Sequence, residues 1–153
     1  MNPTVSFVVP CYKLAHLLGE CVDSILGQTY RDFEVLIMDD CSPDNTAEVA
    51  QSFTDPRVRH VRNEPNLGHL RNYNKGIELA RGKYVWLISA DDRLRRPYVL
   101  ERYVRCLMNI QKSAMSFVLV FVCEVGRSWM FSIIRFMATT MRFLTGANSL
   151  LSL

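Results

Sequence analysis

The stretch Tyr84-Val85-Trp86-Leu87-Ile88-Ser89-Ala90-Asp91-Asp92 decides the fold. An apolar run of strand length, closed by small residues and two carboxylates, predicts a buried strand emerging at a polar edge. In an open α/β sheet, ligands bind just beyond the carboxyl ends of the strands. Adjacent acids there repel each other unless a cation or hydrogen-bond donors lie between them. The pair therefore predicts a divalent cation held by Asp91 and Asp92, which in turn holds a phosphate. Taken alone, the pair is explained better by a solvated turn with Asp as a helix cap; the rest of the chain decides between the two.

Upstream, Val5-Ser6-Phe7-Val8-Val9 is a β-branched run closed by Pro10, a first strand. Leu14, Leu18, Cys21, Val22 and Ile25 fall on one helical face. Phe33 to Met38 is a second strand, running into a second acid pair, Asp39-Asp40. Ser42-Pro43 predicts an N-cap with proline at the first helical position, and a helix to about Phe53. Val58 to Arg62 alternates as a short half-exposed strand would. Leu70, Tyr73, Ile77 and Ala80 sit at helical spacing, with Gly82 as the stop. Downstream, Pro97 opens a helix to about Gln111, and Phe117 to Cys123 is a last strand.

Strands alternating with helices predict one doubly wound α/β unit over residues 1–123, with a mostly parallel sheet and right-handed crossovers. Residues 124–153 form an apolar, basic helical tail. On a helix, Met130, Ile134, Met137, Met141 and Leu144 make one stripe, and Arg127, Arg135 and Arg142 share the opposite sector. Three readings stay open for it: a segment that packs on a partner, one that lies in a membrane interface, or the tail of a truncated or frameshifted gene.

The charge is divided unevenly. Residues 1–92 carry 9 basic and 13 acidic side chains, whereas residues 93–153 carry 9 basic and 2 acidic ones. The predicted site lies in the acidic part, so the basic overall balance does not point to nucleic acid. The arginine cluster Arg93, Arg95, Arg96 reads first as a solvated loop, and second as a patch for phosphates or anionic lipid. Five cysteines without a C-x-x-C pair predict reduced, mostly buried thiols, and with them a cytoplasmic chain, peripheral at most to the inner face of the membrane. The N-terminus lacks the basic region of a signal peptide, and no apolar run approaches a membrane span. His16 and His60 read as surface residues; His69 lies close enough to Arg71 in sequence to touch a phosphate.

The seven glycines form neither G-x-G-x-x-G nor G-x-x-x-x-G-K-[ST]. Without those backbone cradles, a metal and cationic side chains must neutralise a diphosphate. Oxygen ligands alone suit a hard ion, Mg²⁺ or Mn²⁺.

In order along the chain stand Val8-Val9-Pro10-Cys11-Tyr12, Ser24 to Thr29, Phe33 to Ser42, Leu67-Gly68-His69-Leu70-Arg71-Asn72 with Gly76-Ile77 and Ala80-Arg81-Gly82, and Ser89 to Asp92. Together they resemble the N-terminal, nucleotide-sugar-binding half of a family 2 glycosyltransferase of the GT-A fold, over about residues 4–112. The resemblance implies transfer of a sugar, in polysaccharide or cell-envelope synthesis, from a nucleoside diphosphate sugar of uridine type. It also implies inversion, a divalent metal and a saccharide or lipid-linked acceptor. Carried over, Pro10 and Tyr12 lie beside the nucleobase, and one of Asp39 and Asp40 reads the N–H of the base. Arg71 lies near the nucleotide, Asp91 near the ribose or metal, and Asp92 on the metal. Many relatives have a further acid two positions before this pair, where this chain has Ser89. The family's general base lies several tens of residues after the acid pair. Here Glu124 is the only acid after Glu101, and it comes too early. Two rivals stay open: a remnant that binds nucleotide without turnover, and an interaction protein that uses the tail.

Overall fold

The computed structural model describes residues 2–111 and 121–122. The elements are β1 (Val5–Cys11), α1 (Ala15–Leu26), β2 (Phe33–Asp39), α2 (Thr46–Ser52), β3 (Val58–Arg62), α3 (His69–Leu79), β4 (Tyr84–Leu87), α4 (Val99–Gln111) and β5 (Phe121–Val122). They form one sheet of order β3-β2-β1-β4-β5, in which every pairing is parallel. β1, β2 and β4 are buried along their whole length, as continuous apolar runs covered on both faces must be. The expected tail and most of the expected strand at 117–123 lie outside the described residues. Among the described residues no helix is long and apolar enough to cross a membrane.

The two faces of the sheet are packed differently. On one side α1 and α2 cover Val5, Phe7, Val9, Val35 and Ile37. An aromatic row stiffens this side, with Phe7 edge-on to Phe33 at 5.7 Å, stacked on Trp86 at 5.3 Å, and Trp86 edge-on to Tyr103 at 4.9 Å. On the other side α3 covers Val8, Leu36, Met38, Val85 and Leu87 through Tyr73, Ile77, Leu79 and Ala80. A Cβ at Gly76 would stand 2.4 Å from Val8 Cγ1, so a side chain there would lift α3 off the sheet.

Several local expectations change. Leu70 is 61% exposed and does not belong to the core face of α3. The helix ends at Leu79 with Ala80 extended, and Gly82 serves a close approach instead of a stop. Its N–H donates to Ser6 Oγ at 2.8 Å, and a Cβ would sit 2.6 Å from the Ser6 nitrogen. α2 begins at Thr46 instead of after Ser42, because Asp44 Oδ1 accepts both Thr46 N and Thr46 Oγ1. The N-cap itself is Asn45, which makes no side-chain cap bond; Asp44, one residue earlier, holds the first turn, and Ser42 is used elsewhere.

α4 also departs from expectation. Leu100, Val104 and Leu107 pack into the α1–α2 side, although β4 to β5 steps across the sheet in the direction opposite to β1 to β2. Gln28, almost fully buried after α1, explains the placement: its Nε2 donates to Arg96 O and its Oε1 accepts Leu100 N, both at 3.0 Å.

At the amino edge of the sheet, buried Glu34 ties three elements together. Its Oε1 accepts Ser6 Oγ at 2.7 Å and Arg81 N at 2.8 Å, and its Oε2 accepts Arg81 Nε and Nη2 at 2.9 and 2.6 Å. Burial alone would raise the carboxyl, but the Arg81 and Ser6 hydrogen bonds outweigh it and hold Glu34 below the ordinary range. A group depressed in the folded state stabilises above its unfolded pKa and loses that contribution as pH falls through its folded one. Glu34→Gln should therefore cost about 1–2 kcal/mol at neutral pH. In urea melts across pH, the gap to the parent should close on the acid side of the carboxylate range.

Candidate nucleotide site at the carboxyl edge

β1 stands between β2 and β4, so the chain reverses its direction of travel across the sheet beside β1. Such a switch point opens a crevice. Pro10 sharpens it. The β1–β4 register ends at Val8↔Leu87, after which Ile88 N donates to Val8 O at 3.0 Å and Ala90 N to Pro10 O at 3.3 Å. A residue's N–H and C=O point to the same side of a strand, so a Pro10 N–H would have faced β4. Proline has none, and the chain turns away at Ala90 and Asp91. On the other flank β1 keeps its partner to the end, with Cys11↔Asp39 in register and Asp40 N donating to Cys11 O at 3.0 Å. The two acid pairs thus leave the sheet on either side of β1, two strand spacings or about 10 Å apart.

The pairs are not equivalent. Asp39 has no exposed surface. Its Oδ1 accepts Ser42 N at 2.8 Å and its Oδ2 accepts Arg62 Nη1 at 2.6 Å. His60 Nε2 stands 3.4 Å from the same Oδ2, near enough for charge to matter but without hydrogen-bond geometry. His60 is therefore not the surface residue expected; β3 carries it inward beside Asp39. Asp40 is also buried, its Oδ1 accepting Asn63 Nδ2 and Leu67 N at 2.8 Å and its Oδ2 accepting Gly68 N at 2.9 Å. Asn63 passes the network to Asn72 and Lys75, and Asn72 Nδ2 donates to Met38 O. Asp40 thereby fixes the loop that enters α3 and, with it, Arg71 in the first turn.

Two further loops are locked at this edge. Tyr12 is 45% exposed, with Lys13 Nζ 5.1 Å from its ring centroid. Lys13 and Cys41 both adopt positive φ, 59° and 58°, a conformation that non-glycine residues hold only when their surroundings enforce it. The enforcement is visible: Lys13 N donates to Ser42 Oγ at 3.2 Å, and Ala15 N, at the start of α1, donates to Asp44 Oδ2 at 3.1 Å. Asp44 thus serves two helix starts at once. The hydrogen bonds to Thr46 and Ala15 hold its carboxyl below the usual range despite some desolvation.

Asp91 and Asp92 form no hydrogen bond or ion pair through their side chains with any described residue. Burial first, and the Asp91 charge second, push the Asp92 carboxyl up. An unneutralised pair of this kind accepts a hard cation. Among the described residues no group of three or more His, Cys, Asp or Glu completes a metal cage. The donor set fits a divalent ion only where other oxygens finish the shell. Tyr73, on α3, lies near enough that burial and then the Asp91 and Asp92 charges raise its phenol. Cys21, on the α1 side, donates to Ser89 O at 3.5 Å; burial, then Asp92, push its thiol up to about 12, so it stays protonated. Cys11 and Cys21 are buried, while Cys41 is half-buried and Cys106 exposed, so burial of the thiols holds only in part.

Of the expected site residues, Pro10, Tyr12, Asp39, Asp40, Asp91 and Asp92 meet at one edge, and Arg71 stands exposed on the first turn of α3. His69 is exposed too, edge-on to Tyr73 at 6.0 Å. The sequence model of the family described as Glycosyl transferase family 2 matches residues 6–150. The chain belongs to glycosyl transferase family 2. The match runs beyond residues 4–112, which carried the motifs. The chain is 36% identical over 105 residues to glycosyltransferase GlyG of Streptococcus pneumoniae serotype 4, covering 67% of this chain and 35% of GlyG. Its fold is that of S. aureus TarS, solved with UDP-GlcNAc (24% identity, TM-score 0.65, 71% of this chain and 32% of that one). It is also similar to the mannosyltransferase PcManGT of Pyrobaculum calidifontis, solved with GDP-Man and Mn²⁺ (27% identity, TM-score 0.64, 70% and 33%). The chain thus spans about a third of each of these family 2 and GT-A proteins.

Asp40 anchors the α3 entry loop, so Asp40→Ala strands the Leu67 N–H and one Asn63 amide hydrogen and leaves Gly68 N with Asn66 Oδ1 alone. The expected loss is about 1–3 kcal/mol in denaturant melts, with faster amide exchange at residues 67 and 68.

Proposed function

We propose that this chain holds a nucleoside diphosphate sugar, of uridine type, and is the donor-binding part of an enzyme that transfers the sugar to a saccharide or lipid-linked hydroxyl. The observation that carries this is the free acid pair Asp91-Asp92 beside the crevice that Pro10 opens, with a second, hydrogen-bonded acid pair across β1. Their separation has the scale of a nucleoside diphosphate from base to phosphates.

In this reading the Tyr12 ring stacks on the base. Of the two acids across β1, Asp40 has no charged partner among the described residues, and its Oδ2 takes one backbone donor. Asp39 Oδ2 already faces Arg62 and His60. Asp40 is thus the acid that reads the N–H of the base, and Arg71 adds positive charge near the nucleotide. Asp92, with Asp91, would hold Mg²⁺ or Mn²⁺, the phosphates supplying the oxygens that the protein does not. Such an ion stabilises the charge that builds on the departing diphosphate. Inverting attack needs a general base on the opposite face of the sugar, and no acid among the described residues after Asp92 other than Glu101 is available for it. Glu101 is tied to Thr29 and Arg105. Binding without turnover is therefore the second reading, and product formation from a UDP-sugar separates the two.

Asp92→Asn should weaken Mn²⁺-dependent UDP binding in calorimetry by roughly tenfold or more, with the thermal transition of the ligand-free protein unchanged. Equal binding by variant and parent would remove the metal assignment.

A further inference from the structure

The segment that leaves the acid pair carries a surface the donor site does not use. Between Arg93 and Met108 stand five arginines against one acid, Glu101. α4 buries Leu100, Val104 and Leu107 in the core, and at about 100° per residue Tyr98, Arg102 and Arg105 fall on the opposite side. All three are exposed, as are Arg95 and Arg96 in the loop before them. The Arg102 guanidinium lies 5.9 Å from the Tyr98 ring centroid. Arg105 meets Glu101 at 3.2 Å across an exposed turn, a bridge that neutralises little in water, and Arg93 meets Glu20. Arg95, Arg96 and Arg102 face no carboxylate among the described residues.

We propose that the outer face of α4 and the Arg93–Tyr98 loop dock on a bilayer bearing anionic headgroups. Two large side chains, Tyr98 at 45% and Met108 at 48% exposure, are interleaved with the guanidinium groups. That mixture suits the headgroup layer, where arginines meet phosphates while their stems and an amphipathic ring enter the acyl boundary. Charge elsewhere favours a planar partner. Residues 1–92 carry 9 basic and 13 acidic side chains, so a polyanion that followed the body would meet repulsion, whereas a membrane meets one face. The docking surface does not depend on the donor reading. One consequence does rest on it: Arg93 follows Asp92 directly, so docking would bring the donor site to the lipid surface and select an acceptor carried on a lipid.

The test is flotation of the full chain with phosphatidylcholine vesicles, with and without phosphatidylglycerol, in low and high salt. The parent should float with the anionic vesicles and be released by high salt. The triple variant Arg95→Gln, Arg96→Gln, Arg102→Gln should partition at least about tenfold less, with unchanged far-UV circular dichroism and unchanged UDP binding. Should that variant fail to fold, Arg102→Gln alone should bind about fivefold less. The tail is present in every protein compared, so a variant that floats like the parent overturns the assignment to α4. So does a parent that ignores phosphatidylglycerol, or one that stoichiometric RNA displaces from the vesicles, which would mark a general polyanion surface.

Discussion

A single missing hydrogen-bond donor shapes the working edge of this protein. Pro10 occupies the middle strand of a parallel sheet, where every other residue is expected to bond on one side or the other, and it has no N–H to offer on the β4 side, only its carbonyl oxygen. A proline is tolerated there because β4 is already leaving. The consequence is that β1 and β4 part at Ala90 while β1 and β2 stay joined through Asp40. The crevice is therefore a property of the backbone, set before any side chain enters it.

The side chains then divide the work. On the joined flank, Asp39 and Asp40 are consumed by donors from three segments, and their buried charge is offset by Arg62 and by backbone N–H groups. A buried carboxylate satisfied in this way rigidifies what it touches, here the loops of Ser42 and Gly68. On the parted flank, Asp91 and Asp92 have no ion-pair partner among the described residues, and burial first, then the Asp91 charge, push the Asp92 carboxyl up. One pair stabilises the frame, and the other is the pair to which the proposed function assigns a cation.

Much of this was legible in the chain itself. Apolar runs of strand length announced the buried strands, and their alternation with helices announced the parallel sheet. The strand-terminal acids announced the edge. What could not be read were partners distant in sequence. Ser42-Pro43 has the composition of a helix start, but the helix begins at Thr46, held by Asp44, which also reaches back to Ala15. His60 sits in an alternating strand as a surface residue would, and only the β2–β3 register brings it to Asp39. Leu70 matched the helical period without lying over the sheet. The placement of α4 turned on Gln28, whose two bonds cross 68 and 72 residues of chain. Nothing in a local window signals a contact of that kind.

In the proposed function, the described residues supply too few ligands to hold a divalent ion alone and enough to hold one together with a nucleotide diphosphate. Electron paramagnetic resonance of Mn²⁺ tests it directly. The account predicts that the six-line signal of the free ion persists when protein is added without nucleotide, and is lost when protein and UDP are present together, beyond what UDP alone removes. A signal lost equally with and without UDP would contradict it, as would one that protein leaves unchanged even with UDP present.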